Sequence, residues 1–280
     1  MGPMIEAINK RISVRTYIDK PIEEKEKKII LGLLRSDTRG PFGNRMRFEL
    51  VDFTELDKKE VRTLGTYGII KGAKLFIVGV TTASDKTMED FGYCLEKIIL
   101  KATNLGFGTC WMGGTFKRSG FAKRMNVKND EIVPVICPIG YARENRAITD
   151  KVFRFVAKSD KRKQWDELFF NGNINAPLDK DKANRYAIAL ESVRIAPSAS
   201  NKQPWRIIKE IGKDAYHFYL KRTKGYANFI KEFKIQNIDL GIAMCHFELS
   251  AIEMGLRGQW KDEHPHLDVE DMEYVVSWEE

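Results

Sequence analysis

The ten residues from Ala196 to Trp205, APSASNKQPW, place more constraints on the backbone than any other stretch of this 280-residue chain. Pro197 and Pro204 fix two φ angles and restrict the residues before them. Between them lie two serines and an asparagine, whose short polar side chains either close turns or face a ligand. This "196–205 loop" follows an amphipathic run and precedes a β-type run, so we expect a stiff loop that joins a helix to a strand and binds an anion or a heterocycle. An ordinary turn is the alternative.

The order of helix, Pro/Asn loop and strand occurs twice, which predicts a degenerate internal repeat. Three pairs of residues mark the repeat at spacings of 156, 157 and 149 positions, and they are Pro41 and Pro197, Asn44 and Asn201, and Gly106 and Gly255. Sequence identity between the halves is weak. The consistent long spacings therefore carry the argument.

A second cluster lies near the start of the chain, where Arg11, Ser13 and Arg15 occupy alternating positions. In an extended segment these three side chains line one face and could converge on one anion. An ordinary basic turn after a helix is the alternative that the residues leave open.

Two further stretches contain candidate site residues. The glycines from Gly106 to Gly114 permit close approach of the backbone to a flat ligand. Three adjacent cations, Lys161, Arg162 and Lys163, form a "basic segment" that is either a solvated turn or a phosphate contact. The sequence does not choose among the three.

The 196–205 loop matches seven fixed positions of the APSxxNxQPW pattern, and the chain thereby resembles the FMN-dependent nitroreductases, in particular their TM nitroreductase branch. Arg11, Ser13 and Arg15 fall on the R-x-S-x-R element of that family, which meets the FMN phosphate, ribityl chain and ring. The resemblance also implies that a glycine pair lies against the ring and that the basic segment reaches the phosphate. The FMN-binding residues that it implies are Arg11, Ser13, Arg15, Gly113, Gly114, Lys161, Arg162, Pro197, Ser198, Ser200, Asn201 and Gln203.

In the dimeric nitroreductases that the chain resembles, FMN lies between subunits, with R-x-S-x-R from one subunit and the A-P-S-x-x-N loop from the other. Here the first half of the chain keeps the former and the second half keeps the latter. We therefore expect an α+β, nitroreductase-like fold with antiparallel-rich central sheets flanked by helices, in which two degenerate halves form an intramolecular pseudo-dimer. Residues 1–170 form the first half, 171–177 a linker, and 178–280 the second, shorter half. One FMN site would lie at the junction, and the symmetry-related site would be defective.

The resemblance implies an oxidoreductase in which NADH or NADPH reduces FMN and a nitroaromatic, quinone or similar small acceptor then enters the same cleft, a ping-pong mechanism. The cofactor carries the chemistry, so no catalytic side chain is required. The alternative is a flavin-binding protein without turnover, which stores or senses flavin. The divergence of the second half motivates that alternative.

Composition bears on other classes of protein. The net charge of +8 comes from cations spread among acidic residues, which is typical of solvated helix faces, so no nucleic-acid partner is expected. The four cysteines are widely spaced, which predicts buried thiols and no metal site. No apolar run is long enough for a membrane span, and no signal peptide is recognised. We expect a cytoplasmic monomer, with further homodimerisation left open.

Overall fold

The computed structural model describes residues 2–55, 68–114, 116–143, 161–225, 233–265, 267 and 269–280. The helices within these ranges are α1 (Met4–Lys10), α2 (Glu24–Ser36), α3 (Thr87–Asn104), α4 (Arg118–Arg124), α5 (Lys180–Ala183), α6 (Ala187–Arg194) and α7 (Ile235–Glu253). The sequence also predicts a helix between Glu60 and Lys71, and most of that range lies outside the described residues.

The first sheet is formed by the first half of the chain. Its strands are β1 (Arg47–Asp52), β2 (Leu75–Thr82), β3 (Gly108–Thr109), β4 (Glu131–Ile132) and β5 (Ile136–Gly140). They are antiparallel and follow the order β1-β2-β5-β3, with β4 paired to the end of β2. Strand β2 is buried along all but its last residue because it is rich in β-branched and apolar residues and lies between β1 and β5.

The second sheet repeats this topology. Its strands are β6 (Phe169–Asn171), β7 (Asn173–Pro177), β8 (Trp205–Lys209), β9 (Ala215–Leu220), β10 (Gln259–Lys261) and β11 (Glu273–Glu279). The antiparallel path β8-β9-β11-β10 has the connectivity of β1-β2-β5-β3 in the first sheet. The predicted α+β fold with antiparallel-rich sheets is confirmed, and the shared strand order supports a duplication.

Strands β6 and β7 extend the second sheet beyond β8. Strand β6 runs parallel to β8, whereas β7 returns antiparallel to β6 after a turn at Gly172, where φ is +74°. Residues 171–177, predicted as the linker, therefore lie at the edge of the second sheet as this turn and β7. The chain joins the second sheet directly after the basic segment, so the basic segment lies beside the second half.

Helices α3 and α7 pack against each other at the centre of the molecule. A Cβ atom on Gly92 of α3 would overlap the carbonyl oxygen of Ile238, and one on Gly241 of α7 would overlap the carbonyl oxygen of Glu89. These two glycines are 149 positions apart, the spacing found between Gly106 and Gly255. Because each glycine lets the other helix's backbone approach, the two halves meet through equivalent positions, and one continuous hydrophobic core includes both helices and residues of both sheets.

The described residues also bear on a membrane span and on a metal site. None of the helices in those ranges combines the length and apolarity that crossing a membrane requires. In the same ranges, which leave out His266, no group of three or more His, Cys, Asp or Glu residues could hold a metal ion. All four cysteines are buried and form no disulfide, as their spacing predicted.

Candidate functional site

The 196–205 loop adopts a backbone that non-glycine residues rarely adopt. Ser200, Asn201 and Gln203 have φ angles of 48°, 53° and 47°, in the left-handed region. The conformation is held from within, because the backbone N–H of Gln203 donates to Oγ of Ser198 at 2.9 Å and that of Asn201 donates to the Ser198 carbonyl at 2.9 Å. Such strained conformations persist only where surrounding contacts stabilise them. They are frequent at ligand sites.

The basic segment docks onto this loop. The backbone N–H of Lys163 donates to Oε1 of Gln203 at 2.9 Å, and Nδ2 of Asn201 donates to the Lys161 carbonyl at 2.9 Å. The guanidinium of Arg162 also donates to Oδ1 of Asn201. Gln203 is only 1% exposed, so its amide acts by fixing the basic segment. The structure thus brings together two stretches that the sequence separates by about forty residues.

Positive charge collects around the basic segment. Burial lowers the pKa of Lys163, and the neighbouring charges of Arg206, Lys221 and Lys202 lower it further, while Glu167 opposes them. A concentration of like charges with one acidic neighbour favours an anionic ligand. The sequence did not indicate Arg206 and Lys221 as site residues, because only the pairing of β8 with β9 brings them beside the basic segment.

The segment with Arg11, Ser13 and Arg15 is extended, which is the condition under which alternating side chains share one face. Ser13 pairs in parallel with Thr109 of β3, and the N–H of the following Val14 donates to the Thr109 carbonyl at 2.8 Å. The carbonyl of Arg15 accepts a hydrogen bond from Lys71 at 2.8 Å. Ser13 and Arg15 remain partly exposed on this segment, beside the strand that leads to the glycine pair.

Arg11 has a different environment, because its side chain enters the core. It is 9% exposed, and its Nε lies 3.6 Å from Oε1 of Glu96, a fully buried carboxylate of α3. Glu96 also accepts hydrogen bonds from Nε1 of Trp111 at 2.6 Å and binds Nε2 of His246 at 2.8 Å. Burial would raise the pKa of Glu96, but the hydrogen bond from His246 and the charge of Arg11 outweigh it, and the pKa is lowered.

The glycine pair lies at the junction of the halves. A Cβ atom on Gly113 would come within 2.5 Å of Cδ1 of Ile235, the first residue of α7, whereas no atom of the described residues lies within 4 Å of a Cβ on Gly114. The carbonyl of Gly113 accepts a hydrogen bond from the guanidinium of Arg118. Gly113 therefore gives close packing against the second half, and Gly114 leaves backbone accessible to a ligand.

The first turns of α7 also hold the 196–205 loop. Oδ1 of Asp239 accepts the backbone N–H of Ala199 at 2.8 Å. Ile235 and Asp239 are four residues apart and so lie on one face of the helix. The glycine pair of the first half and the 196–205 loop of the second half thus converge on one face at the start of α7.

The equivalent loop of the first half is closed. Oδ1 of Asp90 accepts the N–H of Phe42 at 2.9 Å, while Oδ2 accepts the N–H and the Nδ2 of Asn44 at 2.9 and 3.0 Å. A Cβ atom on Gly40 would overlap the Asp90 carboxylate. The loop around Pro41 is therefore packed onto α3, with the amide of Asn44 turned inward.

The fold is that of a nitroreductase-like α+β protein, and its two sheets repeat one strand order within a single chain. The sequence matches the family described as "Putative TM nitroreductase" over residues 3–251. The chain belongs to this family, and its membership supports a general role as a flavin-dependent oxidoreductase.

One solved structure supports this fold over nearly the whole chain. A protein of Thermotoga maritima, described as a putative nitroreductase, matches with 21% identity and a TM-score of 0.61, over 99% of this chain and 93% of that one. An FMN-dependent nitroreductase of Clostridium difficile matches with 24% identity and a TM-score of 0.40, over 51% of this chain and 89% of that one. Among curated protein sequences, none matches this chain significantly.

Proposed function

We propose that the protein is an FMN-dependent oxidoreductase that uses NADH or NADPH to reduce nitroaromatics, quinones or similar small acceptors. The observation that carries the proposal is the convergence of Gly113 and Gly114 from the first half and the 196–205 loop from the second half on the start of α7. The predicted halves, 1–170 and 178–280, would each supply part of one site. No second chain is needed to complete it.

The residues present fit a phosphorylated flavin. The basic segment offers cations beside the hydroxyls of Ser198 and Ser200 and the amide of Asn201, a donor set suited to a phosphate and a polyol chain. In the part of the chain that the structure describes, Nη1 of Arg11 is buried without a hydrogen-bond partner, while Nε lies 3.6 Å from Oε1 of Glu96. An anion that reached Nη1 would satisfy it.

Each element would have a distinct role in holding the cofactor. Lys161 and Arg162 would bind the phosphate, assisted by Arg11, while Ser13 and Arg15 would face the ribityl chain and ring. The backbone at Gly113 and Gly114 would lie against the ring. Pro197 and Gln203, both buried, would support the loop from behind. Bound FMN would supply the two-electron chemistry, accepting from the nicotinamide donor and giving to the acceptor in separate half-reactions.

A single site per chain follows from the asymmetry of the halves. The second half of the chain shows no R-x-S-x-R element. In the first half, the loop around Pro41 is packed onto α3 through Asp90, so a symmetry-related second site would lack both elements.

The first experiment is an anaerobic spectrum of the full chain reconstituted with FMN, before and after NADPH and then NADH. We expect one FMN per chain, bleaching of the flavin band, and parallel double-reciprocal plots in steady state with a quinone acceptor. Bound flavin that stays oxidised would favour a storage or sensing protein without turnover. Failure of the chain to bind FMN would refute the proposal.

Asn44 and Asn201 provide a matched pair of variants, because they hold equivalent positions in the two loops. Asn201→Ala should weaken FMN binding, since Asn201 contacts the basic segment. Asn44→Ala should leave FMN binding within about twofold of wild type, since Asn44 bonds Asp90 in the closed loop. Equal losses in both variants would contradict a single site at the junction.

A further inference from the structure

Asp90 and Asp239 hold the loops of the two halves in the same way. They are 149 positions apart, the spacing of the glycines at the helix crossing. Oδ1 of Asp90 accepts the N–H of Phe42 at 2.9 Å, and Oδ1 of Asp239 accepts the N–H of Ala199 at 2.8 Å. Phe42 and Ala199 are themselves 157 positions apart, as are the asparagines of the two loops. Each half therefore attaches its loop to an aspartate at the equivalent position of its central helix.

The two carboxylates differ at their second oxygen. Oδ2 of Asp90 accepts two hydrogen bonds from Asn44. Within the described part of the chain, Oδ2 of Asp239 is buried and has no hydrogen-bond partner. The reason is that Asn201, the counterpart of Asn44, is turned outward and bonds Arg162 and the carbonyl of Lys161.

This difference has a free-energy cost. Asp239 is 2% exposed, and a buried polar atom without a partner is unfavourable. Folds retain such atoms mainly where function requires them. Here the gain is that the outward Asn201 can contact the basic segment while Asp239 holds the loop on α7 through the Ala199 N–H.

We propose that Asp239 is a positioning residue of the flavin site, which holds the 196–205 loop through the amide of Ala199 so that Ser198, Ser200 and Asn201 are presented to the cofactor. This inference rests on the proposed function, since it assumes that FMN binds at the junction. Asp90 holds the closed loop through the amide of Phe42 in the same way and does not contribute to cofactor binding.

The test compares Asp239→Ala and Asp239→Asn with Asp90→Ala in the full chain. FMN affinity is measured by quenching of flavin fluorescence, and Tm is measured without flavin. Asp239→Ala should raise the Kd for FMN about tenfold, because one hydrogen bond that orients the loop is lost. Asp239→Asn should stay within about threefold of wild type, because the amide oxygen still accepts the Ala199 N–H.

Asp90→Ala is the control for a purely structural effect. It removes three hydrogen bonds and should lower Tm at least as much as Asp239→Ala, yet change the Kd for FMN by less than about twofold. Wild-type affinity in a folded Asp239→Ala variant, or an equal loss of affinity in Asp90→Ala, would overturn the inference while leaving FMN binding itself intact. Failure of the wild-type chain to bind FMN would overturn both the inference and the proposed function.

Discussion

Nε2 of His246 lies 2.8 Å from Oε1 of Glu96, so a fully buried histidine of α7 is bonded to a fully buried carboxylate of α3. The other ring nitrogen, Nδ1, lies 2.9 Å from the carbonyl oxygen of Ser192 in α6. Both ring nitrogens thus face acceptors. Glu96 connects the two halves, and through Arg11 and Trp111 it also reaches the R-x-S-x-R element and the approach to the glycine pair.

Removal of this carboxylate should be strongly destabilising. Glu96→Ala would leave the buried guanidinium of Arg11 without its counter-charge, and breaking a buried ion pair typically costs about 3–5 kcal/mol. The free energy of unfolding from urea titration is the measurement. Glu6→Ala is the control, because Glu6 pairs with Lys10 on the exposed face of α1 and should change stability by less than about 1 kcal/mol. Similar small losses in both variants would contradict the central role of Glu96.

The helix crossing gives a second prediction. Gly92→Ala and Gly241→Ala would each place a methyl group against the backbone of the other helix, so each should lower the free energy of unfolding by about 1–3 kcal/mol or more. Gly32→Ala is the matched control, since Gly32 lies in α2 and no atom of the described part of the chain is within 4 Å of its missing Cβ. It should stabilise the protein by about 0.5–1 kcal/mol, as alanine favours helix. If all three variants shift stability in the same direction, the close packing of the halves is wrong.

The repeated order of helix, Pro/Asn loop and strand could be predicted because it depends on local patterns. The spacing of the repeat also extended to residues that had not been singled out, such as Gly92 and Gly241. The burial of the Arg11 side chain beside Glu96 could not be predicted. Its partner Glu96 lies 85 positions away in α3, and no local pattern connects the two residues.

Other local conformations also depend on residues that are distant in the sequence. Residues 171–177 resemble a linker because asparagine and glycine are frequent there, yet β7 exists through its pairing with β6. The left-handed backbone at Asn201 and Gln203 depends on Ser198 and on the docked basic segment. Only the tertiary contacts select these conformations.

The basic segment gives a prediction about the phosphate. Arg162→Ala should raise the Kd for FMN about tenfold, because a charge-assisted contact is lost, and should leave riboflavin binding within about twofold. Lys182→Ala removes the same charge from an exposed position paired with Asp179 and should change neither affinity. Isothermal titration with both flavins distinguishes the outcomes. A parallel loss of FMN and riboflavin affinity in Arg162→Ala would place the arginine away from the phosphate.

Asp239 gives a prediction about pH. Burial raises its pKa to about 8 from the model-compound value of 3.8, and the Ala199 amide opposes this only in part. Between these two values the folded state holds one proton more than the unfolded state. This contribution to stability is therefore complete below about pH 4 and is lost as the pH rises through about 8.

In Asp239→Asn the side chain does not titrate. Relative to that variant, the free energy of unfolding of the wild type should fall by up to about 1.4 kcal/mol per pH unit between pH 5 and 8. Urea titrations of both proteins across this range measure the difference. Parallel curves would mean that the carboxyl is already ionised in the folded protein and has gained a partner for Oδ2.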